Sequence, residues 1–433
     1  MTQTPESLPL LGRRGISAPP VRIVHLGLGA FHRSHQAWFT AKAPDAGDWG
    51  IAAFTGRRPD AAVALSAQDG LYTLVTRGAE GDEVEVITSV VEAVDGANTR
   101  RLNDLVAASS TAIVTLTVTE KVYDDDSADS PLGRLVRALG VRRGSGSGPL
   151  AIVSCDNLAD NGTVTRNAVK RLADAVDPAL SLWIDENISF VSTSVDRITP
   201  RVTEQDVAFV AARCGYRDNS PVVAEPFTSW ILSGAFPAGR PAWEEAGAQF
   251  VEDIEPFENR KLWLLNGAHS TLAYAGRLRG HKTVAEALSD TECRGLMEAF
   301  WDEATRHLTL PELDIPGYRL ALLNRFANPR IAHYLAQIAM DGSTKLRMRA
   351  VPVLRAERLA GRDGYGAARV LAAWMDFVSE ATELHDPLAE QILPTRNLDQ
   401  TEQTMALLHL IDAALASDAI VVDAVDSLRN TFN

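Results

Sequence analysis

The stretch "RKLWLLNGAHS", from Arg260 to Ser270, sets a lysine, an asparagine and a histidine among leucines and a tryptophan. On an α-helix turning about 100° per residue, Lys261 at zero places His269 near ~80° and Asn266 near ~140°. The polar side chains then share one side of an element that Leu262, Trp263, Leu264 and Leu265 mark as buried nearly all round. A lysine so placed is either paired or has its ammonium destabilised by desolvation. With its pKa lowered it can take the hydroxyl proton of an alcohol that loses hydride. Asparagine and histidine can donate hydrogen bonds to the developing alkoxide. The plainer alternative is a helix end with Lys261 in water and Asn266-Gly267 as a break; this stretch alone does not separate the two. "SCDNLADNG", from Ser154 to Gly162, supplies further amides. Asn157 is placed to help hold the lysine or the oxyanion, although turn chemistry also accounts for an Asp-Asn pair.

A second constellation, "VHLGLGAFHRSHQAWF", begins at Val24. Gly27 and Gly29 match the G-x-G-x-x-G turn that lets backbone approach a pyrophosphate at a helix N-terminus, but His32 stands where the last small residue belongs. Arg33 offers positive charge nearby. The alternative is a strand-to-helix turn that needs only glycine's freedom. In NAD enzymes an acidic residue after the second strand takes the ribose. Here that region reads "TGRRPD", with Arg57 and Arg58 in place and Asp60 further on. Arginines there suit the 2′-phosphate of NADP, stack on adenine, or face solvent, so the cofactor choice stays open. His32 and His35 share a helix face. With no third ligand motif they read as packing or capping histidines, and no metal site is expected.

The elements that must position these residues alternate. "VRIVHLG", "WGIAAF", "AIVTLTVT", "LAIVSCDN" and "ISFVSTSV" are apolar runs separated by helical stretches, which predicts a buried, mostly parallel sheet. "FHRSHQAWFTAKA" continues the glycine turn as one helix. "QDGLYTLVTRG" and "DEVEVITSVVEAV" alternate polar and apolar residues and predict a small antiparallel addition. "YDDDSADSP" (Tyr123–Pro131) and "RRGSGSGP" (Arg142–Pro149) read as loops, the latter flexible by composition. From about Pro256 apolar residues recur at helical spacing. The expected organisation is a 1–255 domain of α/β class followed by a 256–433 mostly α-helical domain.

A chain of 433 residues exceeds one ordinary core. Its net charge of -14 argues against non-specific nucleic-acid or anionic-membrane partners and requires a local basic pocket for any anionic ligand. Cys155, Cys214 and Cys293 are too scattered for a disulfide framework or a C-x-x-C metal site. No window offers a membrane span, no signal pattern opens the chain, and a cytoplasmic location follows.

Taken together, "HLGLGAFHRSHQA", "TLTVTEK", "SCDNLADNG", "VDRITP", "KLWLLNGAHS" and "RFANPRIAHYLAQIAMDGSTK", in that order over about residues 21 to 350, resemble the mannitol dehydrogenase family of polyol-specific long-chain dehydrogenases and reductases. The resemblance implies a Rossmann-type N-terminal domain, a helical C-terminal domain and an active site between them. It implies a metal-independent oxidation of a secondary alcohol on a linear sugar derivative, with NAD as cofactor and NADP left open. Lys261 matches the general acid/base, Asn157 and Asn266 the oxyanion asparagines, and His269 a substrate-positioning residue. Gly27, Gly29 and Phe31 fall on the cofactor turn, Arg57 lies by the expected ribose, and Thr119 and Glu120 lie on the nicotinamide side. Asp196 and Lys345 match further substrate positions. Mannitol-type members carry arginine where this chain has Gln337, and "QIAMDGSTKLRMR" is more similar to the fructuronate reductase (mannonate oxidoreductase) branch. There Arg347 and Arg349 add charge suited to a substrate carboxylate. Where that branch reads Lys-Leu-Pro, this chain reads Lys345-Leu346-Arg347. D-fructuronate/D-mannonate is thus the leading substrate pair, and mannitol 2-dehydrogenase or another polyol dehydrogenase is the alternative. A non-catalytic nucleotide sensor is a reading of another class. The partners implied are a small sugar acid or sugar alcohol, for a monomer or small homo-oligomer.

Overall fold

The computed structural model describes residues 8–330 and 333–432. The chain divides into two compact units, the first ending at Glu255 and the second starting at Pro256. Among the described residues no helix is long and apolar enough to cross a membrane.

In the first unit the apolar runs form β1 (Val21–Leu26), β2 (Gly50–Phe54), β3 (Tyr72–Arg77), β4 (Asp82–Ile87), β5 (Val90–Val94) and β6 (Ile113–Leu116). They continue as β7 (Leu150–Ser154), β8 (Ile188–Asp196), β9 (Val222–Ala224), β10 (Ser229–Ser233) and β11 (Gln249–Phe250). The large sheet runs β11-β10-β8-β7-β6-β1-β2-β5. From β5 to β8 every pairing is parallel, while β10 joins β8 antiparallel. Counting only the parallel strands in chain order, this is the 3-2-1-4-5-6 arrangement of dinucleotide-binding sheets. Ile23, Ile51, Ile113 and Val153 face one buried cluster; Val24, Ala52, Val114 and Ile152 face the other. Burial on both faces is why these strands read as unbroken apolar runs.

The expected antiparallel addition is half right. β3 and β4 pair antiparallel, with β9 on the other side of β3, but Val90–Val94 leaves them to edge the large sheet beside β2. Composition also misled at Arg142–Pro149. The helix Pro131–Ser145 runs through Arg142, which is fully buried, and closes on Gly146 in the left-handed region. The Arg142 guanidinium donates to the carbonyls of Val106, Ala108, Ser147, Gly148 and Pro149 at 2.7 to 3.2 Å. The Gly-Ser stretch is therefore wrapped around a buried cation.

The second unit is helical, with a π-helical segment, Lys261–Gly267, between the helices Glu255–Arg260 and Ala268–Leu278. Helices Thr291–Thr305 and Tyr365–Glu380 pack against Ala268–Leu278, burying Phe300, Trp301, Trp374 and Tyr274.

Candidate active site

In the first unit, the selected residues follow the carboxyl ends of neighbouring parallel strands, the edge at which open α/β sheets bind ligands. Gly27, Gly29 and Phe31 follow β1, Arg57 follows β2, Thr119 and Glu120 follow β6, and Asn157 follows β7; Asp196 ends β8. Arg57, Thr119, Glu120 and Asn157 are exposed, and Asp196 and Phe31 half-buried. Arg58 pairs with Asp60 at 3.7 Å on the surface.

The two glycines are there for different reasons. Gly27 has φ +113°, and a Cβ on it would lie 1.9 Å from the Thr117 carbonyl oxygen, so the fold itself demands glycine. Gly29 has ordinary extended backbone, φ -127°, and a Cβ there would meet only the Gly27 carbonyl at 3.6 Å. Packing does not explain Gly29, and the space left beside its backbone is what a closely approaching ligand would need. A dinucleotide fits this turn on that observation.

His32 fills the place of the missing third glycine by stacking on His25 of β1, ring centroids 3.4 Å apart and planes 8° off parallel. Both are buried. His25 is 2.8 Å and 3.0 Å from the hydroxyls of Thr115 and Thr117, and Thr117 Oγ1 donates to the Gly27 carbonyl at 2.8 Å. Burial drives the pKa of both histidines well down, and for His32 the proximity of His25 adds to it. His35 sits 2.9 Å from the Ser229 carbonyl through Nε2. Neither His32 nor His35 looks outward, and Arg33 is not available to a ligand either: it is buried and donates to Ser220 O at 2.5 Å.

The single helix expected after the turn is two, α1 (Ala30–Ser34) and α2 (Gln36–Lys42). The break has a cause. The Arg33 carbonyl accepts from Tyr72 Oη at 2.6 Å and the Ser34 carbonyl from Arg197 Nη1 at 2.5 Å, so side chains take the acceptors at the break.

In the second unit, the expected α-helical periodicity gives way to π geometry over Lys261–Gly267. Hydrogen bonds spanning five residues widen each turn, so Lys261 and Asn266, five apart, come closer in direction than the ~140° an α-helix sets between them. Side chains again hold the irregular backbone. Trp301 Nε1 donates to Leu264 O at 2.7 Å, and Arg349 Nη1 to Asn266 O at 3.1 Å. Gly267 admits Phe300, whose Cε1 would lie 2.4 Å from a Cβ there. Trp263, Leu264 and Leu265 are buried, whereas Lys261 and Leu262 are half-buried rather than enclosed.

His269 is buried between Phe326 and His333, at ring distances of 4.8 and 4.7 Å. Desolvation, then the positive potential of His333, Arg325, Arg349 and Lys345, holds its pKa well below the ordinary value, so the ring is neutral. Its Nε2 and the Asn266 Oδ1 are buried without a hydrogen-bond partner among the described residues. Unsatisfied buried polar atoms at one place are costly and fit a site that a polar ligand completes.

The helix Gly342–Arg349 carries Lys345 and Arg349. Its "DGS" start is structural. Asp341 is left-handed, Gly342 has no room for a Cβ beside Trp374 and Tyr274, and Ser343 is held by Asp386 through N–H (2.8 Å) and Oγ (2.5 Å). Asp386, Tyr274 and His25 carried no signal in the sequence beyond their residue types. Lys345 Nζ donates to Ile338 O at 3.1 Å, and its pKa is lowered by burial and by Arg349. Arg349 also donates to Ser270 Oγ at 2.9 Å, and burial lowers it to about 10. Arg349 thus joins the Asn266 and His269 group. Gln337 is exposed, and Arg347, also exposed, is spent on the Leu410 carbonyl at 2.5 Å. Among the described residues His281, Asp290 and Cys293 lie close enough to share an ion, but Arg279 and His281 already occupy the same oxygen of Asp290.

Six parallel strands in dinucleotide-binding order, followed by a helical unit, define the class as a two-unit protein with a Rossmann-type sheet. The comparisons fix it further. The profile of the mannitol dehydrogenase Rossmann domain matches residues 21–245, and that of the mannitol dehydrogenase C-terminal domain matches 253–430. D-mannonate oxidoreductase of Escherichia coli (strain K12) is 38% identical over 394 residues, 84% of this chain and 81% of that one. The solved Pseudomonas fluorescens mannitol 2-dehydrogenase, a ternary complex with NAD and D-mannitol, is 32% identical with TM-score 0.78, over 98% of this chain and 94% of that one. A solved D-sorbitol dehydrogenase reaches TM-score 0.87 at 28% identity, over 98% and 96% of the two chains. The chain belongs to the mannitol dehydrogenase family.

Proposed function

We propose that the protein interconverts D-fructuronate and D-mannonate, using NAD as the hydride carrier. The observation that carries the carboxylate-bearing substrate is the Arg349 guanidinium, which donates to Asn266 O and Ser270 Oγ on either side of His269 in sequence, with Arg325 and Lys345 adding positive potential at the same ring. In a chain of net charge -14, so local a concentration of positive charge suits an anionic ligand. The 38% identity to a D-mannonate oxidoreductase supports the same choice.

Lys261 removes the hydroxyl proton as the C–H bond gives up hydride, and returns it in the reverse direction. NAD, held through its pyrophosphate at the β1 turn, would supply the hydride chemistry. Asn157 and Asn266 donate to the developing oxyanion, and neutral His269 positions the substrate through Nε2. Arg349 and Lys345 pair with the carboxylate, and Asp196 and Gln337 bind hydroxyls. The Gly27–Gly29 turn with Phe31 receives the pyrophosphate end, Arg57 lies alongside the adenosine ribose, and Thr119 and Glu120 lie towards the nicotinamide.

The test is reduction of D-fructuronate, D-tagaturonate and D-fructose, each with NADH and with NADPH, followed by nicotinamide absorbance. A kcat/KM for fructuronate with NADH at least about a hundredfold above fructose is expected, a difference of ~3 kcal/mol that one buried ion pair can supply. Equal turnover of fructose and fructuronate sinks the carboxylate pocket and leaves the mannitol 2-dehydrogenase reading. Lys261→Ala should cost several orders of magnitude in kcat while nucleotide still binds; unchanged turnover removes the lysine from the mechanism.

A further inference from the structure

Asp156 precedes Asn157 at the end of β7 and is buried. Its Oδ2 accepts from Tyr123 Oη at 2.5 Å, and Tyr123 Oη is also 3.0 Å from Ser154 Oγ. Tyr123 follows directly on the Glu120–Val122 turn, so its bond to Asp156 ties the chain leaving β6 to the chain leaving β7. Both flanks are braced. Asn161 Nδ2 donates to Asp156 O (2.9 Å) and Thr193 O (2.7 Å), and Arg171 Nη2 donates to Tyr123 O (2.7 Å). A buried acid is costly where an apolar pair would pack as well, and this one makes its bonds between two segments that carry candidate site residues.

We propose that Asp156 and Tyr123 form a positioning clamp that fixes Asn157 relative to the 118–123 segment, and so sets the alignment of oxyanion donor and nicotinamide side. The inference rests on the reading of Asn157 as an oxyanion donor. The clamp has a pH sense. Desolvation and Glu120 raise the Asp156 carboxyl to about 7, against the hydrogen bond from Tyr123. The other titratable groups facing it are Tyr123 and Glu120 after β6 and the neighbouring Cys155 thiol just past β7; burial raises Tyr123 and Cys155, which stay neutral. Ionised, Asp156 Oδ2 is a charge-assisted acceptor for Tyr123 Oη; protonated, it is a weaker, neutral one, and the clamp loosens as pH falls below about 7.

Full-length Tyr123→Phe, Asp156→Asn and Asn157→Ala are compared by kcat and KM for ketone and for NADH from about pH 5.5 to about pH 9, with NADH binding by fluorescence. In Tyr123→Phe, kcat falls about tenfold while the KM for NADH moves less than about twofold, as misalignment without loss of binding requires. The acidic limb of kcat near pH 7 is absent in Asp156→Asn. Parent-like kcat and an unaltered limb in both clamp variants, with Asn157→Ala inactive, overturn the clamp alone. Asn157→Ala with full activity overturns the Asn157 reading and the clamp with it. Equal losses of kcat and NADH affinity in Tyr123→Phe make the pair a purely structural bond, which also overturns the proposal. Should Asp156→Asn fail to fold, Tyr123→Phe decides.

Discussion

At the scale of single residues, the glycine turn separates what the fold needs from what a ligand needs. Gly27→Ala forces a Cβ into the Thr117 carbonyl at a left-handed backbone position and should leave little folded protein. Gly29→Ala has room, so its melting temperature should stay within a few degrees of the parent while the KM for NADH rises about tenfold or more. Unchanged nucleotide affinity in a folded Gly29→Ala protein would return the turn to mere chain reversal. The sequence shows both glycines and does not tell them apart, because the difference lies in Thr117, ninety residues away. His32 is similar. Its type is visible, but its reason is the face of His25, which alternation along β1 presents only after the strand is formed. Lys345 and Arg349 were legible as charge near a helix end; that Arg349 reaches Asn266 while Arg347 turns to Leu410 was not, since it depends on which side of the helix packs.

At the scale of elements, regular periodicity was readable and its interruptions were not. The alternating apolar runs announce the parallel sheet because burial on both faces leaves them no polar positions. The π segment is invisible to a 100° count, since tertiary bonds maintain it: Trp301 to Leu264 O, Arg349 to Asn266 O, and Phe300 against Gly267. Trp301→Phe keeps most of the volume and removes the indole donor. Stability should fall by about 1–2 kcal/mol, the cost of a buried carbonyl left unpaired. If the π turn aligns Lys261 with Asn266, kcat should fall about tenfold with it, and NADH binding should hold; an undiminished kcat would show that the lysine does not depend on this geometry. The α1/α2 break belongs with this case, a helix yielding carbonyls to Tyr72 and Arg197.

At the scale of the whole molecule, electrostatics decides how the fold meets acid. Glu357 is fully buried in its side chain and pairs with Arg362, His307 and Arg306 at 2.6 to 2.7 Å. These bonds, Arg362 first, pull it from 4.5 to about 2. A depressed carboxylate contributes stability that is complete above its unfolded value and is lost as pH drops through the folded one. The contribution, about 2 kcal/mol once the exposure of the arginines is allowed for, should therefore disappear between about pH 4.5 and about pH 2. Chemical denaturation across that range checks it: Glu357→Gln should be less stable than the parent at pH 6 and converge with it in acid, and parallel curves would discount the network. A last consequence concerns engineering. The run from Gly144 to Gly148 looks like a ready-made spacer, the first place to open the chain for a tag, a fluorescent insert or new termini. Its carbonyls are the solvation shell of the Arg142 guanidinium, so cutting there strips a buried cation of its partners. The permissive points for insertion in this protein lie elsewhere, in surface turns whose backbone answers to water alone.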